Sequence, residues 1–306
     1  MSTQTEIRRR INDEIVAALS DPTKLPPWRK PWTCFDANIG HPCNALTRKP
    51  YRGINTLILG LSAQRRGFQS RHWLTFRQAK EMGVSVRGGE KSTHIVFFKP
   101  IRAERTTEDG EEKQDTFLLM RSYCIFNVEQ TTGLDHLRVG NAPLTAVQIE
   151  QRHEQAEAVI AATGADIRHG GDRAFYSSTG DYIQLPHHRQ FERIEAYYQT
   201  AGHELCHWAE HPIRLNWDRS KPENSYAMGE LIAELGGCYL MGELGLPTGE
   251  DLSNHAAYLK HWLAGMHNDT RFLFRAAAQA SKSVDYLLSF SRAQDAATED
   301  DEALVA

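Results

Sequence analysis

The chain has 306 residues, of which 41% are hydrophobic and 24% charged, with a formal net charge of −4. These values exclude a disordered or fibrous chain and fit a soluble globular protein of two domains, each long enough to bury its own core. No apolar run is long enough to span a bilayer and the first ten residues lack the apolar core of a signal peptide, so no membrane partner is expected. Five scattered cysteines (34, 43, 124, 206 and 238) without CxxC spacing read as reduced thiols of a cytoplasmic protein.

Apolar residues at 7, 11, 15 and 19 predict a helix from Glu6 to about Leu19. Pro22, Pro26, Pro27 and Pro31 break it and impose an extended stretch containing Trp28 and Trp32. Residues 54–66 predict a second helix, and Thr75 caps a short one that ends near Gly83. Two β-rich runs, 94–103 and 116–128, predict a long hairpin with Thr106–Asp115 as its acidic loop. Gly140–Pro143 is the expected boundary, giving domains 1–140 and 141–292. The second domain predicts a helix over 145–163, short strands near 165–169, 173–178 and 181–186, and a helix over 191–210. Further helices are expected from Tyr226, over 252–266 and over 269–290, before a disordered acidic tail at 293–306. The fold class is α+β in both domains. Asp181–Pro186 reads as an edge strand ended by proline, an edge on which an extended substrate peptide could pair.

His203-Glu-Leu-Cys-His207 lies in the predicted helix 191–210. Two imidazoles four residues apart sit one turn above each other and can grip one divalent metal, most simply Zn2+. Glu204 then points toward a water it can deprotonate, the role of a catalytic base. A catalytic zinc site takes three protein ligands. His211 fails as the third, because eight residues at 1.5 Å rise carry it about 12 Å from His203. Glu230 on the next helix is the better candidate. Glu234, one turn later, can accept the free N–H of a ligating histidine, although the two glutamates could exchange roles. This two-helix stretch resembles the arrangement of thermolysin-like zincins. Tyr226 or a histidine of His187-His188 could stabilise an oxyanion, and nothing in the sequence selects one. Cys206 reads as packing rather than as a ligand.

Residues 1–100 carry 17 Lys+Arg against 7 Asp+Glu, whereas 141–306 carry 13 against 24. The first half is therefore a candidate polyanion binder. Aromatic and basic residues interleave there, and cations can neutralise phosphates while aromatic faces stack on unpaired bases. The candidate DNA-binding residues are Trp28, Arg29, Lys30, Trp32, Arg48, Lys49, Tyr51, Arg52, Arg71, Trp73, Arg77 and Lys91. Arg87-Gly-Gly-Glu-Lys91 adds a backbone-rich loop that could approach phosphates. The competing reading puts the tryptophans and Phe97-Phe98 in the core.

Taken together the chain resembles the ArdC family of plasmid antirestriction proteins. The resemblance rests on Pro31-Trp32, Pro50-Tyr-Arg-Gly-Ile-Asn55, Trp73-Leu-Thr-Phe76, Gly88-Gly-Glu-Lys91 and Tyr123–Gln130 in the first half. In the second it rests on Asp181-Tyr-Ile183, Tyr198–Trp208, Tyr226-Ala227 and Glu230–Glu234. It implies an N-terminal domain that binds single-stranded DNA and a C-terminal zincin-like metallopeptidase domain. It also implies protection of incoming DNA from host restriction endonucleases during conjugation, and a host protein, such as a restriction-system component, as substrate. The family's metal residues fall on His203, His207 and Glu230, with Glu204 at the catalytic position. One departure is Gly229, where an acidic residue is expected, which leaves the local helix more flexible. The alternative is a non-catalytic DNA-binding protein whose metal site is structural.

Overall fold

The computed structural model describes residues 4–21, 26, 28–29, 40–106, 112–137, 144–217, 225–248 and 253–305. Helix α1 (Gln4–Leu19) buries Ile11, Ile15 and Leu19 on one face. Helix α2 (Ile54–Arg66) follows Gly53, whose φ of 58° favours glycine, and stops at Gly67, also left-handed at φ 70°. A four-stranded sheet, order β1-β2-β4-β3, holds the rest of the first half. Strand β1 (Cys43–Asn44) runs parallel to β2 (His72–Thr75). The long hairpin strands β3 (Thr93–Thr106) and β4 (Glu112–Asn127) pair antiparallel, with β4 also against β2.

Thr75 caps α3 (Phe76–Glu81), accepting from the Gln78 N–H at 3.1 Å while the Gln78 side chain accepts from the Thr75 N–H at 2.9 Å. Strand β3 is outermost, and α2 covers its edge. The Asn55 amide donates to the Val96 carbonyl at 2.8 Å and accepts from the Val96 N–H at 2.9 Å, as a neighbouring strand would.

In the second half, α4 (Ala146–Ala162) precedes three short strands, β5 (Asp166–His169), β6 (Phe175–Ser177) and β7 (Tyr182–Leu185). Four helices follow: α5 (Ile194–Ala209), α6 (Tyr226–Glu243), α7 (Ser253–Asn268) and α8 (Phe272–Val305). The expectation of an edge strand at Asp181–Pro186 is corrected. The sheet order is β5-β7-β6, so β7 is central, parallel to β5 and antiparallel to β6. Pro186 follows the last paired residue and removes no ladder bond. Helix α8 extends from Phe272 to Val305, into the acidic tail. From Phe272 onward the chain has no Gly or Pro and is rich in Ala, which favours helix.

The two halves do not have separate cores. Ile11, Ile15, Leu19, Trp28, Ile54 and Leu57 share one apolar cluster with Leu231, Trp262 and Leu273. Among the described residues, two small clusters, around Leu74 and around Trp73, belong to the first half alone. The expected boundary Gly140–Pro143 lies outside the described residues. Among those described, no helix is long and apolar enough to cross a membrane.

Candidate metal centre

Helices α5 and α6 approach closely because small residues line their contact. A Cβ on Gly237 would lie 3.0 Å from the Gln199 carbonyl oxygen and 3.3 Å from the His203 nitrogen, both backbone atoms. At Gly202 the nearest atoms are a Leu240 methyl at 3.2 Å and the Gly237 Cα at 3.4 Å. This approach brings the first turn of α6 against the middle of α5. His203 Nε2 stands 3.6 Å from one Glu230 oxygen, and His207 Nε2 stands 3.6 Å from the other. One ligand atom from each of the three residues lies within 4.8 Å of the others. Two donors on one tetrahedral cation, with bonds of about 2.0–2.1 Å, sit about 3.3 Å apart. The donor set and its spacing therefore fit a divalent metal.

The electrostatics agree. Burial alone would raise the Glu230 carboxyl, yet His203 and His207 outweigh it and hold it well below the usual carboxylate range. Burial alone would lower His207, but the Glu210 and Glu230 carboxylates push it up to about 10. Glu204 is buried on α5, near enough for its charge to add to that upward push.

The structure gives Glu234 a different partner from the one expected. Its two oxygens accept from Arg29 Nε at 2.7 Å and Nη2 at 2.9 Å, and one also accepts from Trp28 Nε1 at 3.2 Å. Glu234 thus anchors the N-terminal segment. The carboxylate facing the outer nitrogen of a histidine is Glu210, 3.6 Å from His207 Nδ1. Its position three residues after His207 was the available signal, since i, i+3 residues share a helix face. Arg214, also missed, donates to both Asp181 oxygens at 2.6 and 2.8 Å and to the Trp208 carbonyl at 3.0 Å. It ties the end of α5 to the start of β7.

Tyr226 lies one turn before Glu230, and its hydroxyl is 2.9 Å from that of Tyr258. The Tyr258 hydrogen bond, burial and the Glu230 charge all raise the phenol, so it stays a donor. His187 and His188 instead gather with His169 around an open pocket of about 570 Å³. Cys206 packs against α6, where a Cβ on Gly236 would meet its sulfur, and burial raises its thiol far above the ordinary value.

Of the twelve residues expected to bind DNA, four are engaged within the fold. Trp28 (6% exposed) and Trp73 (1%) are buried and offer no face to a base. Arg29 is buried against Glu234. Arg52 pairs with Asp285. Beside it, the Gly53 N–H donates to Ser281 Oγ at 3.1 Å and its carbonyl accepts from the Tyr239 hydroxyl at 2.9 Å. Pro50–Asn55 is therefore a joint between the halves. Tyr51 is half-buried and accepts from the Asn44 amide at 3.3 Å, and Arg71 is half-buried. Arg48, Lys49, Arg77 and Lys91 are exposed, whereas Lys30 and Trp32 lie outside the described residues. In the expected phosphate loop Arg87 pairs with Glu90 at 2.7 Å, and Gln130 donates to Glu90 at 3.0 Å, which closes the loop on itself.

Residues 5–126 match the family described as the N-terminal domain of anti-restriction factor ArdC. Residues 154–279 match the family described as zincin-like metallopeptidase. Two proteins named DNA primase TraC from Escherichia coli are 36% and 37% identical over 94% and 88% of this chain. The chain spans only 28% and 19% of those primases. The metal-free crystal structure of the antirestriction ArdC protein from the R388 plasmid superposes with a TM-score of 0.75 at 37% identity, covering 94% of this chain and 98% of that one. Its Mn(II)-bound form gives 0.72 at 36% identity, covering 93% and 98%. The likeness runs over nearly the full length of both chains, and the chain belongs to the ArdC family of antirestriction proteins.

Proposed function

We propose that this chain binds single-stranded DNA through its N-terminal half, protects an incoming plasmid from host restriction endonucleases, and carries a zinc-dependent peptidase centre. The observation that carries the peptidase reading is the convergence of His203, His207 and Glu230 beside a buried Glu204. A structural metal site needs no general base, so Glu204 argues for chemistry. Zn2+ held by the three ligands would supply Lewis acidity toward a peptide carbonyl. Glu204 takes the proton of the attacking water and returns it to the leaving amine. Tyr226, kept protonated, donates to the oxyanion as it forms. Glu210 fixes the ring orientation of His207. Because β7 is central, an extended substrate would pair with β5 or β6.

The test uses Glu204→Gln in the full chain. Cleavage of a denatured-protein substrate, read by peptide mass spectrometry, should fall about 10²–10⁴-fold. Binding of single-stranded oligonucleotide should be unchanged, and protection of a plasmid entering a restricting host should fall with cleavage. Full protection by the Glu204→Gln protein would remove the peptidase from the function and leave a DNA-binding protein with a structural metal.

A further inference from the structure

We propose that single-stranded DNA lies on the open face of the β3–β4 hairpin, its bases stacking on Phe97 and Tyr123 and its phosphates meeting Lys99 and Arg121. The proposal rests on the reading of the N-terminal half as a single-stranded DNA binder, and it moves the interface away from the motifs that suggested it.

The pairing register puts these residues together. Phe97 lies opposite Arg121, Ile95 opposite Tyr123 and Lys99 opposite Leu119, and directly opposed residues project from the same sheet face. Phe97 is 58% exposed and Tyr123 44%, large values for aromatic rings on a sheet. Their ring centroids are 5.8 Å apart at 85°, a T-shaped pair that leaves ring faces open to solvent. Lys99 and Arg121 are exposed as well.

The other hairpin face packs onto the shared core along its middle. Val96 and Met120 are buried in the shared core, and Phe98 meets the Phe274 ring at 6.4 Å. The open stretch ends at Tyr123, because Ile95 and Ile125 on the same face are buried with Leu59 and Trp73.

Charge favours a polyanion over a protein partner. Residues 91–101 and 117–127 contain Lys91, Lys99 and Arg121 and no Asp or Glu. Among the described residues neither Lys99 nor Arg121 is engaged in an ion pair. A cationic strip bearing solvent-facing rings suits unpaired bases, which stack without sequence readout, and not a stacked duplex.

The full-length protein is titrated against a fluorescein-labelled oligothymidylate of about 20 nucleotides at several salt concentrations, read by anisotropy. Phe97→Ala with Tyr123→Ala should weaken binding about tenfold or more, and Phe97→Trp with Tyr123→Trp should restore it. Arg121→Ala should reduce the slope of log affinity against log salt by about 0.7. Unchanged melting temperature and metal content in each variant show that the fold is intact. Wild-type protein that binds alongside a double-alanine variant within twofold of it overturns the hairpin surface and spares the DNA-binding reading. Wild-type protein that fails to bind at low salt overturns both. A double-alanine variant that dissociates a self-associated protein while keeping its DNA affinity assigns the face to a second copy of the chain and overturns the proposal.

Discussion

Aromatic and basic side chains alternate in two regions of the first half, and the fold puts them to opposite uses. In the joint made by Trp28-Arg29 and Pro50–Asn55, the Trp28 ring and the Arg29 guanidinium turn inward. Trp28 meets the Trp262 ring at 6.4 Å, Arg29 grips Glu234, and Gly53 bonds both Ser281 and Tyr239. On the hairpin, Phe97, Tyr123, Lys99 and Arg121 face solvent. Both regions combine aromatic rings with cations, and the partner differs. A cation opposite a buried carboxylate is structural, and a cation on an acid-free face is free to meet an external anion.

Breaking the joint should cost the most stability. Arg29→Ala leaves the buried Glu234 carboxylate without its guanidinium, a loss of about 3–5 kcal/mol in urea unfolding. The same substitution at Arg121 should leave stability within about 0.5 kcal/mol, because an exposed surface position carries no such penalty.

Burial, then the charges of Arg71 and Arg48, push His72 down to about 4. Between pH 6.5 and 4 the unfolded chain binds a proton at this position that the folded chain refuses, so stability falls as pH drops through that window. The loss is on the order of 3 kcal/mol, and His72→Gln should flatten the pH dependence of the melting temperature over the same range. At the rim of the joint, Arg52→Ala removes a half-exposed ion pair with Asp285 and should cost no more than about 1 kcal/mol. A much larger loss there would mean that Arg52 is as deeply structural as Arg29.

Much of the metal centre was legible because helix geometry is local. The i, i+4 spacing puts His203 and His207 on one face, and a carboxylate on the following helix is an economical third donor. What that helix does with its second carboxylate was not legible. Glu234 is claimed by Arg29, 205 residues away, and no local pattern records such a contact. The centre of the small sheet was hidden for a similar reason. β5 pairs with β7 across the intervening β6, so a strand that ends in proline need not lie at an edge. Exposure is not written in the strand sequence, since Trp73 and Tyr123 are both strand aromatics and only the packing of α2 against one end of the sheet separates them.

The Arg29–Glu234 pair bears on inheritance. One turn of α6 carries the carboxylate that faces the histidines and the one that fastens the chain's beginning. Separating the halves by recombination would strip the guanidinium from a buried carboxylate and open the shared core at Trp28. Such a structure is transmitted most safely as a single cassette. In the far longer TraC primases the matching region takes in both halves of this chain.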